Sequence, residues 1–282
     1  MDRPGTLGFT ETMTDQQILV LAATGKTGRR VVSRLRATGT PVRAASRSSD
    51  LRFDWTDEST WAPCLTGATG LYLVVPDEPA PFADFIGQAV AAGVRRIVLL
   101  SARGIVHYPP NTMYVAEQAL RASDVDWTVL QPNWFNQNFD EYFLRDPLLA
   151  GELALPVGST PEPFIDADDI ADVAVAALTQ DGHAGQTYEL SGPRALSFAE
   201  ATEIIATASG RRIRFTDVSG EQYVAAMTDQ GAPPELATYL AGLFDVVRQG
   251  HITTVTDDVE RVLGREPRTF ESYVATAVPA WR

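Results

Sequence analysis

The sequence predicts an α/β fold, a doubly wound parallel sheet with a smaller, mostly helical C-terminal lobe, and three observations carry that prediction. The apolar run Ile18 to Ala22 meets a small turn, Ala22-Ala23-Thr24-Gly25-Lys26-Thr27-Gly28, and passes directly into a helical pattern. Short apolar runs then alternate with helix-period stretches as far as Gln131, the pattern of repeated βαβ units around a buried parallel sheet. Beyond Gly192 the periodicity becomes almost entirely helical, which is more material than one sheet can carry on its faces. Together they describe a Rossmann-like core with a lobe above the carboxyl ends of its strands, where ligands bind in such sheets.

The elements follow in order. Strands are expected at Ile18 to Ala22, Val42 to Ser46, Leu51 to Asp54, Gly70 to Val75, Arg96 to Ser101 and Trp127 to Gln131. Val31, Val32 and Leu35 give the first helix an apolar stripe, and Phe82 to Ala92 forms another helix that stops at Gly93. After Pro132 the alternation weakens, then resumes at Pro163-Phe164-Ile165-Asp166, with a helix over Ala167 to Leu178 and a closing strand over Thr187 to Leu190. Asp166, Asp168 and Asp169 open that helix, where carboxylates suit its dipole. Later helices are expected at Phe198 to Ser209, Glu221 to Thr228, Glu235 to Gln249 and Asp257 to Leu263. Residues 15–132 thus read as the core, completed by about 163–192; residues 133–162 and 193–282 read as the lobe, and 1–14 as a flexible tail.

Composition narrows the function. The 282 residues carry a formal charge of -13, which disfavours nucleic acid or an anionic membrane as partner. The one cysteine, Cys64, excludes an intrachain disulfide framework and fits a cytoplasmic protein. No apolar stretch approaches the roughly 20 residues of a spanning helix. His107, His183 and His251 lack metal-ligand spacing, so no metal is expected. The expected partner is a small molecule, and a homodimer is compatible with the sequence.

The first turn is a dinucleotide cradle. Gly25 lets the backbone approach a pyrophosphate, Gly28 lets the helix pack closely, and Thr24, Lys26 and Thr27 surround the anion. Ala22 stands where a first glycine is usual, and its Cβ calls for a negative φ. After the second strand come Ser46 and Arg47; an arginine here grips a 2'-phosphate where a carboxylate would repel it, so NADP and NADPH are the expected cofactors. Asp54 and Trp55 close the third strand beside the adenine position, although a helix cap and a core aromatic describe them equally well. Val75, Pro76 and Pro132, at the ends of their strands, would line the groove through backbone atoms.

Leu19 to Val32 resembles the Gly-x-x-Gly-x-x-Gly turn of the atypical, NmrA-like branch of the short-chain dehydrogenases/reductases. Similar segments are Arg95 to Ala102, Val125 to Phe139, Pro163 to Ala171 and Thr256 to Pro267, so the likeness spans nearly the whole chain. It is greatest toward bacterial relatives of the ergot-alkaloid reductases of the festuclavine dehydrogenase type. The wider family implies a Ser after the fifth strand, a Tyr about a dozen residues later and a Lys one turn beyond it. At those places stand Ser101, Tyr114 and Gln118. Without the lysine, Tyr114 stays a phenol and alcohol oxidation is disfavoured, whereas reduction of an imine or enone asks only for orientation and a proton.

His107, Tyr108 and Tyr114 are candidate proton donors or substrate contacts. The segment Pro132 to Phe139, with Asn133, Trp134, Phe135 and Asn138, combines aromatic faces and amides suited to a flat, largely apolar substrate; Trp134 and Phe135 equally fit a plug between sheet and lobe. Tyr142, Phe143, Tyr239 and Phe244 are expected in the core. The leading reading is an NADPH-dependent reductase of a partly aromatic or alkaloid-like metabolite, acting on C=N, polarised C=C or C=O. An NADP-binding regulator without turnover and a non-redox cyclase, isomerase or dehydratase remain alternatives.

Overall fold

The computed structural model describes residues 16–107 and 111–282, so the expected tail and Tyr108 lie outside the described residues. Seven strands form one parallel sheet: β1 (Ile18–Val20), β2 (Val42–Ser46), β3 (Leu51–Arg52), β4 (Gly70–Val74), β5 (Arg96–Leu100), β6 (Asp126–Pro132) and, after the lobe strand β7 (Glu152–Leu155), β8 (Gln186–Leu190). Their order is β3-β2-β1-β4-β5-β6-β8. The order reverses at β1, so the β1 turn opens at the crevice where doubly wound sheets bind ligands.

Side chains alternate across the sheet with period two. Leu19, Leu71, Leu73, Ile97 and Leu99 pack on one face against α2 (Trp61–Leu65), α3 (Phe82–Ala91) and α4 (Thr112–Arg121). Ile18, Val20, Tyr72, Val98 and Leu130 pack on the other against α1 (Lys26–Ala37) and α6 (Ala167–Thr179), with Val259 of α10 (Asp258–Leu263) beside them. The central strands β1, β4 and β5 are covered on both sides, which is why their sequences read as near-continuous apolar runs. Cys64 is buried in the first of these layers and its thiol donates to Arg52 O at 3.2 Å, an inert placement.

A third apolar cluster sits in the lobe, built on Phe139, Phe164, Phe198, Phe244, Phe270 and Trp281. It joins α5 (Arg145–Ala150), α7 (Phe198–Ser209), α8 (Gly220–Asp229), α9 (Pro234–Arg248) and α11 (Phe270–Ala277). The lobe is not helical throughout: β7 pairs in parallel with β9 (Arg214–Asp217) as a separate two-stranded sheet. Capping explains where the helices begin. Ser197 and Glu200 form a reciprocal capping box on α7, and Asp166 accepts the Asp168 N–H at the start of α6.

Arginine and carboxylate side chains bind α1 to its neighbours. Arg34 pairs with Asp168 and Asp172 of α6, and Asp172 also receives Arg265 and Arg268. Asp169 is fully buried and is satisfied by the same two guanidinium groups and by the Arg268 N–H at 2.6 Å. Asp168 and Asp169 therefore serve ion pairing, and capping falls to Asp166 alone. At the other end of α1, Arg29 and Arg30 both hold Glu141, at 2.5 and 2.9 Å.

Candidate active site

The turn after β1 is held by main-chain bonds: Leu21 N–H to Tyr72 O, Ala23 N–H to Ala45 O and Gly25 N–H to Ala22 O, at 3.1, 3.1 and 2.8 Å. This geometry requires Ala22 to take φ +49°, the left-handed region, where a negative value was expected. The surrounding bonds over-determine the turn, so alanine bears a local cost of about 1 kcal/mol and the chain path survives. A Cβ at Gly28 would stand 2.2 Å from Ala22 O, so only glycine lets α1 start against the turn. No side chain caps α1 and its first turn has no acidic residue. The first-turn N–H groups of residues 26–28 thus have no capping side chain and a helix dipole behind them, which fits a pyrophosphate.

The flanking positions fall as follows. Arg47 is exposed just beyond β2 and has no ion pair or side-chain hydrogen bond among the described residues, so its guanidinium is free for an anion. Ser46 is buried and shares a hydrogen bond of 2.6 Å with Ser49 Oγ. Asp54 is occupied with Thr56 and Arg52, and Trp55 packs edge-on against Phe53, Trp61, Phe82 and Phe85. Its indole N–H still reaches Val74 O, at 3.3 Å, beside Val75. Pro76 O accepts from Thr112 Oγ1 at 2.8 Å, which ties the end of β4 to α4.

Above the strand ends lies a cavity of about 700 Å³. Its wall runs from Lys26 of the turn through Pro132, Asn133, Trp134, Phe135 and Asn138 to Tyr142 and Phe143, and is completed by Tyr239 and Leu240 of α9. Tyr142, Phe143 and Tyr239 therefore face the cavity, where the sequence placed them in the core; α9 crosses the mouth and turns its apolar stripe inward. Phe244 alone of that group is fully buried, stacked on Trp134 at 5.0 Å.

Two polar clusters shape this wall. Lys26 Nζ donates to Asn138 Oδ1 at 2.7 Å and lies 4.1 Å from the centre of the Tyr142 ring. Burial pushes its ammonium down to about 8, against the opposing pull of Glu141 and Asp140. Asn133 Nδ2 donates to Glu162 Oε1 at 2.7 Å and to Ile252 O at 2.9 Å, while its Oδ1 accepts from Arg103 at 3.0 Å. Both amide hydrogens are thus committed to the protein, which leaves Asn133 one acceptor lone pair for a ligand. Glu162 Oε1 also accepts the Trp134 N–H, but Oε2 has no partner among the described residues, and burial pushes this carboxyl up to about 7.

Ser101, Tyr114 and Gln118 do not converge. Ser101 is buried and its Oγ donates to Glu117 Oε1 at 2.5 Å, the same oxygen that Gln131 Nε2 reaches at 2.8 Å. Glu117, one residue from Gln118, is the side chain that α4 turns toward the sheet. Tyr114 is 37% exposed, Gln118 is exposed, and neither lines the cavity; Thr112, Met113 and Val115 do. His107 stacks on His251, ring centres 3.9 Å apart, outside the cavity wall. Among the described residues no group of His, Cys, Asp or Glu could hold a metal ion, and no helix is long and apolar enough to cross a membrane.

Residues 22–181 match a family described as NAD(P)H-binding. The chain is 36% identical over 281 residues to the uncharacterized oxidoreductase YesF of Bacillus subtilis, with 95% of this chain and 98% of that one covered. It is 33% identical to the NAD(P)H azoreductase of Xenophilus azovorans, covering 94% and 99%, and 31% identical to the festuclavine dehydrogenase of Aspergillus fumigatus, covering 94% and 98%. In shape it is similar to the Citrobacter triphenylmethane reductase solved with NADP(H), with TM-score 0.78, 22% identity, and 93% and 99% of the two chains covered. The chain belongs to the NAD(P)H-binding, NmrA-like family.

Proposed function

We propose that this protein is an NADPH-dependent reductase of planar, largely apolar acceptors, acting on a C=N, polarised C=C or C=O bond. One observation carries the reading: Lys26 belongs both to the uncapped first turn of α1 and to the wall of the aromatic cavity. Cofactor and acceptor would therefore meet there without any rearrangement of the fold. The N–H groups of residues 26–28 would hold the pyrophosphate and Arg47 the 2'-phosphate, while Val75, Pro76 and Pro132 floor the groove. Bound there, the reduced nicotinamide supplies a hydride. Trp134, Tyr142, Phe143 and Tyr239 bury and orient the acceptor, and their flat faces favour fused or linked aromatic rings. Relatives that are named for azo, triphenylmethane and ergot-alkaloid substrates support the same class.

The test is loss of NADPH near-ultraviolet absorbance with a panel of imines, enones, quinones and aromatic dyes. Turnover of at least one planar acceptor, with NADPH preferred over NADH, is expected. Tight NADPH binding with no turnover across the panel would make the protein a cofactor-binding regulator. Absence of NADPH binding would leave a non-redox enzyme.

A further inference from the structure

Of the 23 lysine and arginine residues in this chain, Lys26 is the one lysine. Wherever the fold needs a fixed positive charge it uses arginine: Arg29 and Arg30 on Glu141, Arg34 on Asp168, Arg265 and Arg268 on Asp169. A guanidinium never releases its proton in a protein, whereas a desolvated ammonium does. The exception sits at the cofactor turn, on the cavity wall, against two neutral partners, Asn138 and Tyr142, and among the described residues no carboxylate forms an ion pair with it.

We propose that Lys26 is a catalytic proton donor, delivering the proton that completes reduction of a neutral acceptor in the cavity. This rests on the reductase reading above. Hydride addition to C=N, C=O, N=N or a conjugated C=C leaves an electron pair on the acceptor's other atom. That atom forms its new bond to hydrogen with the proton from Lys26 Nζ, and water returns the neutral amine to ammonium. The cofactor is the sole reductant, and one proton from solvent balances each turnover.

The surroundings suit the task. Burial lowers the affinity of Nζ for its proton, Arg29 and Arg30 on α1 act in the same sense, and Asp140 and Glu141 oppose them. Asp77 from the loop after β4, Tyr142, and Tyr239 from α9 are the other titratable groups on this side of the cavity. An ammonium held near neutrality both stays charged in the resting site and gives up its proton readily.

The proposal separates two classes of acceptor. A neutral imine, quinone or azo compound needs a proton; a triarylmethane cation or an N-alkylated iminium is neutralised by hydride alone. Steady-state kinetics of Lys26→Met and Lys26→Arg with both classes supply the test. The ratio of kcat/KM for neutral over cationic acceptors should fall by about 100-fold or more in both variants, because arginine keeps the charge but not the proton transfer. An equal loss for both classes would make Lys26 a cofactor contact and overturn the proposal, as would no loss. If the wild-type protein reduces neither class, the reductase reading falls and this proposal with it.

Labelling of the unloaded protein gives an independent readout. With one lysine in the chain, acylation by an amine-specific reagent followed by peptide mass analysis reads Lys26 from its own peptide, separately from the α-amino group. Its reaction rate should rise with an inflection near pH 8. An inflection at the ordinary lysine position above pH ~10 would overturn the assignment.

Discussion

Asn133 Nδ2 donates to Glu162 Oε1 across 2.7 Å, a side-chain bond closed to water directly behind the cavity wall. It locks the amide of Asn133 and leaves Glu162 with one satisfied and one orphaned oxygen. Ionising such a carboxyl places charge on an atom with no donor, and the Arg103 charge nearby offsets that only in part.

Glu162 should therefore make the fold pH-dependent in the alkaline direction. Its carboxyl holds its proton up to about 7 in the folded chain, against 4.5 as its ordinary value. The folded state binds the extra proton between those values, so the stabilisation is complete below about pH 4.5 and is lost as pH rises through 7. The loss amounts to about 3 kcal/mol at 1.36 kcal/mol per unit. Glu162→Gln mimics the protonated form, so urea unfolding at pH 5 and pH 8 should show a much smaller difference for it than for the wild type. Equal pH dependence in the two proteins would show that the carboxyl is not the cause.

Ala22 offers a stabilising change. Ala22→Gly removes the Cβ from a left-handed position and restores the glycine usual in this turn. After allowing for the added freedom of the unfolded chain, a gain of up to about 0.5 kcal/mol in chemical denaturation is expected. Ala22→Val should instead lose about 2 kcal/mol or more, since a branched side chain tolerates this region poorly. A destabilised glycine variant would mean that the methyl group packs favourably where it is.

Arg47→Ala should weaken NADPH by about 10- to 100-fold, the scale of a lost charged hydrogen bond, and NADH by less than about twofold. Fluorescence titration with the two cofactors measures both. An equal loss would remove the 2'-phosphate assignment.

Tyr114→Phe should leave kcat and KM within about twofold for every acceptor, because Tyr114 is 37% exposed and does not line the cavity. A drop of tenfold or more would return Tyr114 to the reaction and require α4 to rotate on ligand binding.

The fold was legible because its signals are local. The run Ile18 to Leu21, the turn to Gly28 and the stripe of Val31, Val32 and Leu35 each state their structure within a dozen residues. β7 and β9 gave no such signal: Glu152-Leu153-Ala154-Leu155 is four residues long, and its partner Arg214 to Asp217 lies about sixty positions away. The site divides on the same line. Gly25, Gly28 and Arg47 could be read from the turn and strand they adjoin, whereas Lys26 meets Asn138 over a separation of 112 residues and Asn133 meets Glu162 over 29. Only the packing of α9 over the strand ends shows that Tyr239 faces the cavity and not the core.

The arginines of α1 fix one edge of the cavity in place. Arg29 and Arg30 both clasp Glu141, the neighbour of Tyr142, so the edge formed by the segment after β6 is pinned to the helix that begins at the cofactor turn. Across the opening, the first half of α9 presents the exposed Leu236 and Tyr239 and, among the described residues, no ion pair. One edge is held by ion pairs, whereas α9 is tied at its far end, where Arg248 pairs with Asp217 and donates to Pro156 O. A shift of the first half of α9 would therefore change the width of the opening and leave the spacing between Tyr142, Lys26 and the turn as it is.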